Sequence, residues 1–229
     1  MTLLASPASE MGFMAIHWAD DNASQESLNA WTHGLGFVLS LPAGFVLTRL
    51  ALETNRDLVV SCIIYSVSLA AMYLFSTLSH AIRDPNWRHR CRTLDQGFVY
   101  TLIAGTFTPF IWSYLAGWPR NLLMAFVWGA AAMGFYSKVF SRHRINNMTS
   151  VSYILLGWVP SMVLFGYVSM ECFGMMALGG VLYTLGVVFL QNDHRSFFYH
   201  AIWHLLVIVA SLSHYLAVVI FAVLRWDRG

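Results

Sequence analysis

The sequence predicts an all-α bundle of seven transmembrane helices. Two observations carry the prediction. Of 229 residues 58% are hydrophobic and only 10% are charged, with a mean hydropathy of +0.59, whereas soluble domains carry about 25% charged residues. The apolar residues also fall into seven runs near the roughly 20 residues that a spanning helix needs, each bounded by polar, turn-forming groups.

The first span covers residues 31–50 and is closed by Glu53-Thr54-Asn55-Arg56-Asp57. The second, residues 58–80, ends where Arg83-Asp84-Pro85-Asn86 opens a basic loop. The third, residues 97–115, is closed by Gly117-Trp118-Pro119-Arg120, and the fourth, residues 122–139, by the polar stretch 141–150. The fifth and sixth, residues 151–168 and 173–190, are joined by a very short link at residues 169–171. Gln191-Asn192-Asp193-His194-Arg195 then precedes the seventh, residues 197–223. Pro42, Pro109 and Pro160 fall inside spans one, three and five, where each removes a helix hydrogen bond and predicts a kink that neighbouring helices must satisfy. Gly179-Gly180 and Gly186 allow close contacts of span six. With no linker, repeat or low-complexity tract, residues 1–229 read as one membrane domain, with an N-terminal tail of about 28 residues and spans over about 29–224.

Charge and cysteine usage narrow the class further. The net charge is +2, and its scattered arginines form no basic patch with interleaved aromatics, which excludes a nucleic-acid partner. Cys62, Cys91 and Cys172 give an odd count without repeated spacing, so no disulfide framework is implied; Cys62, in an apolar run, reads as a small hydrophobe. The first 48 residues hold no Lys or Arg, so the basic start of a cleavable signal peptide is missing and the first span directs insertion. The side shared by the N-terminus and the even-to-odd loops holds eight basic residues against five on the other, which predicts a cytoplasmic N-terminus and an outside C-terminus. The sequons Asn22-Ala23-Ser24 and Asn147-Met148-Thr149 then face the cytoplasm and stay unmodified.

Against this apolar background stand Ser76-x3-His80, Asp95 and His200-x3-His204. Imidazoles and carboxylates are costly in hydrocarbon and mark function by default. Span two ends at His80, span three begins just after Asp95 and span seven begins just before His200, so seven crossings bring all three to one side of the membrane. Residues four apart share a helix face, so both imidazoles of His200-Ala-Ile-Trp-His204 can point inward, about 6 Å apart along the axis. Ser76 lies one turn deeper than His80 on the same face. Three histidines leaving one position for water form the arrangement of catalytic zinc, with Zn–N near ~2.0–2.1 Å, which lowers the pKa of a bound water towards about 7. The histidine spacing is that of H-E-x-x-H metalloproteases without their Glu; Asp95 is the substitute base, with Ser76 supporting the site or polarising a substrate carbonyl. Taken singly, each residue has a plainer reading: His80 as an interfacial residue, Asp95 as an N-terminal helix cap, and His200 and His204 bonded to backbone carbonyls or to each other.

Other polar residues give weaker signals. Glu26, Asn29 and His33 start span one on the same side and are placed as a supporting layer. His214 lies about 15 Å deeper than His204 by helix rise, too far for the same ion, and reads as an interhelical hydrogen-bonding residue. His89 and Cys91 form an H-x-C pair in the basic loop, while His17, His143 and His194 read as solvated loop histidines. Trp112, Tyr114 and Trp118 read as an interfacial belt.

In this combined order the chain resembles the hemolysin III family, within the larger group of progestin and adipoQ receptors. The resemblance rests on Glu26-x2-Asn29-x3-His33, Ser76-x3-His80, Asp95 followed by Ala104-Gly105-Thr106-Phe107-Thr108-Pro109-Phe110, and His200-Ala-Ile-Trp-His204 continuing to His214. It implies seven helices with a cytoplasmic N-terminus. In the adiponectin receptors of that group, zinc is held by histidines matching His80, His200 and His204, with an acid matching Asp95 near the bound water. Those receptors and the distantly similar alkaline ceramidases imply hydrolysis of lipid amides. Bacterial-type members, which this short chain resembles more, carry the name because some were associated with cell lysis. Asp95-Gln96-Gly97 departs from their frequent Asp-His. The expected function is therefore that of an integral multi-pass membrane hydrolase using Zn2+ on a lipid amide or ester, in the cytoplasmic membrane if the source is bacterial. Its rivals are a receptor with structural zinc and a pore-forming cytolysin, the latter opposed by the lack of a continuous polar stripe.

Overall fold

The computed structural model describes the backbone of residues 7–140 and 146–225, with side chains for residues 23–140 and 150–225. Among these residues all regular structure is helical: α1 (Pro7–Thr54), α2 (Val59–Ala81), α3 (Pro85–Tyr114), α4 (Gly117–Val139), α5 (Asn146–Leu164), α6 (Met170–Gln191) and α7 (Tyr199–Ala217), the last continuing as a π-helical turn over Val218–Val223. The seven-helix reading therefore holds. The side chains of His17, Asn22, Asn147, Met148 and Thr149 lie outside the described residues, as do His143, Arg142 and Arg144.

Five segments are long and apolar enough to cross a membrane: Ala23–Thr54, Arg56–Ala81, Gly117–Val139, Met170–Gln191 and Tyr199–Val223. The described part of α5, Ser150–Leu164, is apolar but shorter. Helix α3 is weaker in hydropathy for a positional reason. It packs on α2, α4, α5 and the end of α7, and every residue from Ala104 to Ile111 is buried. A helix that meets protein on all sides can carry Thr106 and Thr108, whose hydroxyls donate to the carbonyls of Leu102 and Ala104 at 2.8 Å.

The basic loop expected after span two is instead the first turns of α3. Asp84 caps that helix, its carboxylate accepting from the backbone N–H of Asn86 and Trp87 at 3.1 and 2.9 Å, and Pro85 occupies the first helical position. A capping Asp followed by Pro is a strong helix start, and hydropathy alone overlooks it because Arg88, Arg90 and Arg92 are polar. Ser169 caps α6 in the same way, accepting from Cys172 N–H, which is how so short a link joins α5 to α6.

The helices form a closed arrangement in which α1 packs on α2, α2 on α3, α3 on α4 and α6 on α7, while α7 returns to α1. Gly179 and Gly186 of α6 receive the rings of His214 and Trp203 of α7 where any β-carbon would collide with them. Span six thus uses its small residues to admit side chains from span seven. Cys62 is fully buried, as expected of a small hydrophobe. At the far end of α7 the π-turn frees carbonyls for α3: Ser113 and Tyr114 donate to Ala222 and Phe221 at 3.1 Å. Tyr114, at the end of α3, therefore has a specific interhelical bond, while Trp112 and Trp118 are exposed. Closure of α7 on α1 sets the N-terminal turns of α7 beside residues 25–33 of α1 and the end of α2, and there the polar residues meet.

Candidate metal centre

His80, His200 and His204 converge at this junction, and one ligand nitrogen from each lies within 4.8 Å of the others. Ring centroids are 4.9 Å apart for His80 and His200, 5.1 Å for His80 and His204, and 4.7 Å for His200 and His204, all edge to face. The three rings make no hydrogen bond to one another; each uses Nδ1 towards an oxygen outside the cluster. His80 Nδ1 donates to Glu26 Oε2 at 2.6 Å, His200 Nδ1 to Asp193 Oδ2 at 3.3 Å, and His204 Nδ1 to the carbonyl of Asn29 at 3.1 Å, with the Thr32 hydroxyl 3.0 Å away. A carbonyl or an ionised carboxylate only accepts, so each Nδ1 carries the proton. The other ring nitrogen is then left as a lone-pair donor. Histidines that ligate a metal are oriented in this manner, through an oxygen partner on the remote nitrogen. The donor set therefore fits a borderline-soft divalent ion such as zinc.

Each oxygen partner is itself held. Glu26 Oε1 accepts from Arg92 at 2.9 Å, with Arg88 at 3.9 Å. The bond from His200 holds the Asp193 carboxyl below the usual carboxylate range, outweighing the partial burial that pushes it up. Thr32 donates to the same Asn29 carbonyl at 2.9 Å. The start of α7 is tied to α1 by Gln25, whose amide donates to the Phe197 carbonyl at 3.1 Å.

The supporting layer expected from Glu26, Asn29 and His33 is present. His33 stacks flat on His204, with centroids 3.6 Å apart and an interplanar angle of 13°, and its Nδ1 lies 2.7 Å from Ser76 Oγ. Its Nε2 and Asn29 Oδ1 are buried without a protein partner, a sign of polar space for water or ligand beside the rings. Ser76 is 1% exposed and lines the same cavity as His80 and His200. Asp95 lies well inside α3, some ten residues past its start; the capping alternative is thereby excluded, since Asp84 fills that role. Its carboxylate faces the hydroxyls of Ser76 and Ser79 and shares a cavity with His80 and His200, although it is not among the converging ligands. Neighbouring Gln96 is exposed and offers its backbone carbonyl to Tyr153 Oη at 2.7 Å.

The cavity, of about 490 Å³, runs from the histidines into the bundle between Phe107, Phe110, Trp158, Met176 and Val207. His214 stands at its deep end with Nε2 3.0 Å from the Met176 carbonyl, the interhelical role expected of it. His194 is exposed and His89 and Cys91 lie on α3; none of the three joins the convergent set. Asp193, Thr32, Arg88 and Arg92 are the site residues that sequence patterns overlook. Asp193 left one faint trace, as the acid seven residues ahead of His200 in a break otherwise read as solvent-exposed.

Residues 22–215 match the family described as haemolysin-III related. Among characterised relatives, a Bacillus cereus protein named Hemolysin-3 is 35% identical over 201 residues, covering 86% of this chain and 91% of that protein. A Hemolysin-3 homolog of Bacillus subtilis (strain 168) is 34% identical over 203 residues, 87% of this chain and 95% of its own. A human protein named Monocyte to macrophage differentiation factor is 26% identical over 202 residues, 85% and 83% of the two chains.

Proposed function

Because the chain belongs to the haemolysin-III-related family of multi-pass membrane proteins, we propose that it is a zinc-dependent hydrolase of a lipid amide or ester. The observation that carries this reading is the common orientation of three imidazoles, each with Nδ1 committed to an oxygen and its second nitrogen left for a metal. His80, His200 and His204 would hold the ion, which when bound supplies Lewis-acid polarisation and an activated water. Asp95 accepts the proton of the attacking water and delivers it to the leaving nitrogen or oxygen, so that the acyl–heteroatom bond breaks as the new acyl–oxygen bond forms. Ser76 and Ser79 orient the Asp95 carboxylate, and Ser76 also fixes His33 against His204. The cavity takes up the lipid's chain and keeps bulk water from the reacting bond.

Purified protein loaded with zinc is the test, incubated in mixed micelles with a panel of lipid amides and esters. Release of free fatty acid that a chelator abolishes and added zinc restores supports the hydrolase. Stoichiometric zinc with no turnover across the panel would sink it and leave a receptor, in which the ion serves to cross-link helices. That second reading is favoured by the spread of the ligands and their partners over α1, α2 and α7.

The excess of basic residues on the histidine side supports an orientation with that side, and the N-terminus, in the cytoplasm. A reporter fused after Gly229 is expected to work only when it is of a kind active outside the cytoplasmic membrane. Cytoplasmic activity of that fusion would reverse the orientation.

A further inference from the structure

We propose that a groove between α1 and the α2–α3 corner binds an anionic phospholipid of the surrounding bilayer, its phosphate held by Arg83, Arg88 and Arg92. The groove has a volume of about 1080 Å³ and runs along the outside of α1, meeting the internal cavity only at Glu26, His80 and Arg92, which line both. Its polar end is built by the tight turn between α2 and α3, with Arg83 in the turn and Arg88 and Arg92 on one face of α3, four residues apart. Its other end is apolar: Trp31, Leu35 and Val38 follow at helical spacing on α1 and are 78%, 58% and 60% exposed. Guanidinium groups beside an unpartnered apolar wall suit an amphiphile whose head is negative and whose chains lie along the helix.

Charge complementarity selects the head group. Among the described residues Glu26 is the one acid lining the groove, and both Arg88 and Arg92 approach the same oxygen of it. Three guanidinium groups against one carboxylate leave a positive excess. Asp84, next to Arg83 in the turn, is committed to the backbone of α3, and Arg83 has no ion-pair partner among the described residues. Guanidinium pairs with phosphate through two parallel hydrogen bonds, and basic residues at a membrane surface attract anionic lipids. A zwitterionic lipid would bring its own cation into this positive end, and a free phosphate would leave the apolar wall uncovered. Since Glu26 accepts from His80 and His80 itself lines the groove, the lipid head would sit beside the metal centre, but its binding does not depend on what that centre does.

The test uses the full chain in a neutral detergent, with dioleoylphosphatidylglycerol or dioleoylphosphatidylcholine added. Native mass spectrometry reads the lipid retained and thermal unfolding reads stabilisation. Phosphatidylglycerol is expected to be retained roughly fivefold or more over phosphatidylcholine. Arg83→Gln should lower that retention about threefold, and Arg83→Gln with Arg88→Gln about tenfold, while Arg49→Gln with Arg56→Gln, at the opposite end of α1, leaves it unchanged. Arg83 touches no other described side chain through a salt bridge, so its single variant should keep the unfolding temperature seen without lipid, and it decides the case if the double variant unfolds. Equal retention of the two lipids overturns the proposal. So does an equal loss in the Arg49/Arg56 variant, which would mean bulk charge alone. Displacement of phosphatidylglycerol by millimolar inorganic phosphate would mean a plain anion site and overturns it too.

Discussion

Alanine at His80, His200 or His204 is expected to reduce bound zinc from about one ion per chain to a small fraction of that, and to lower the unfolding temperature. Three nitrogen ligands define the ion, and removing one leaves two, so affinity falls by orders of magnitude. Stability falls with it, because an ion that binds only the folded chain stabilises by mass action, and an ion held by these ligands would join α2 to α7. Metal analysis of the three variants beside wild type makes the measurement. Glu26→Gln and Asp193→Asn provide the graded comparison. Each keeps its ligand histidine but replaces the charged acceptor on Nδ1, and such outer-shell changes typically cost about 10–100-fold in metal affinity. Zinc content unchanged in all three alanine variants would return the histidines to ordinary interhelical hydrogen bonding.

Asp95→Asn separates chemistry from structure. The amide preserves the shape beside Ser76 and Ser79 but cannot take a proton at neutral pH. Zinc should therefore stay, while turnover of the lipid substrate falls by roughly 10²–10⁴-fold, the range that a positioned general base contributes. Parallel metal analysis and single-turnover hydrolysis distinguish the outcomes. Loss of zinc in Asp95→Asn would make the carboxylate a ligand, and full activity would place the base elsewhere. A receptor with structural zinc predicts retained metal and unaltered ligand response, so this one variant also weighs the two readings against each other.

The sequence by itself determined that this is a seven-helix membrane protein and which residues could meet. Apolar runs of spanning length are local features, and the even number of crossings between the ends bearing His80 and Asp95 and the end bearing His200 puts all three on one side of the membrane whatever the packing. The i, i+4 spacing of His200 and His204 needs only helical geometry. Local chemistry also contained the start of α3, in Asp84-Pro85, although the arginines that follow masked it.

The tertiary structure decided the rest, because it depends on rotation about helix axes and on which helices become neighbours. The Asn29 carbonyl meets His204 across 175 positions of sequence, and Glu26 meets His80 across 54. The first exists because α7 closes back on α1, the second because α1 packs on α2, and both need the Glu26–His33 face of α1 turned inward. The role of Asp193 likewise rests on how the break after α6 folds against α7, since an acid in a polar break looks the same whether it faces solvent or a histidine. Burial of α3 among its neighbours explains its modest hydropathy, a property of the assembled bundle that no window of sequence contains. Hydrophobic length and helical period are written locally, whereas the partners of buried polar atoms are fixed only when the bundle closes around them.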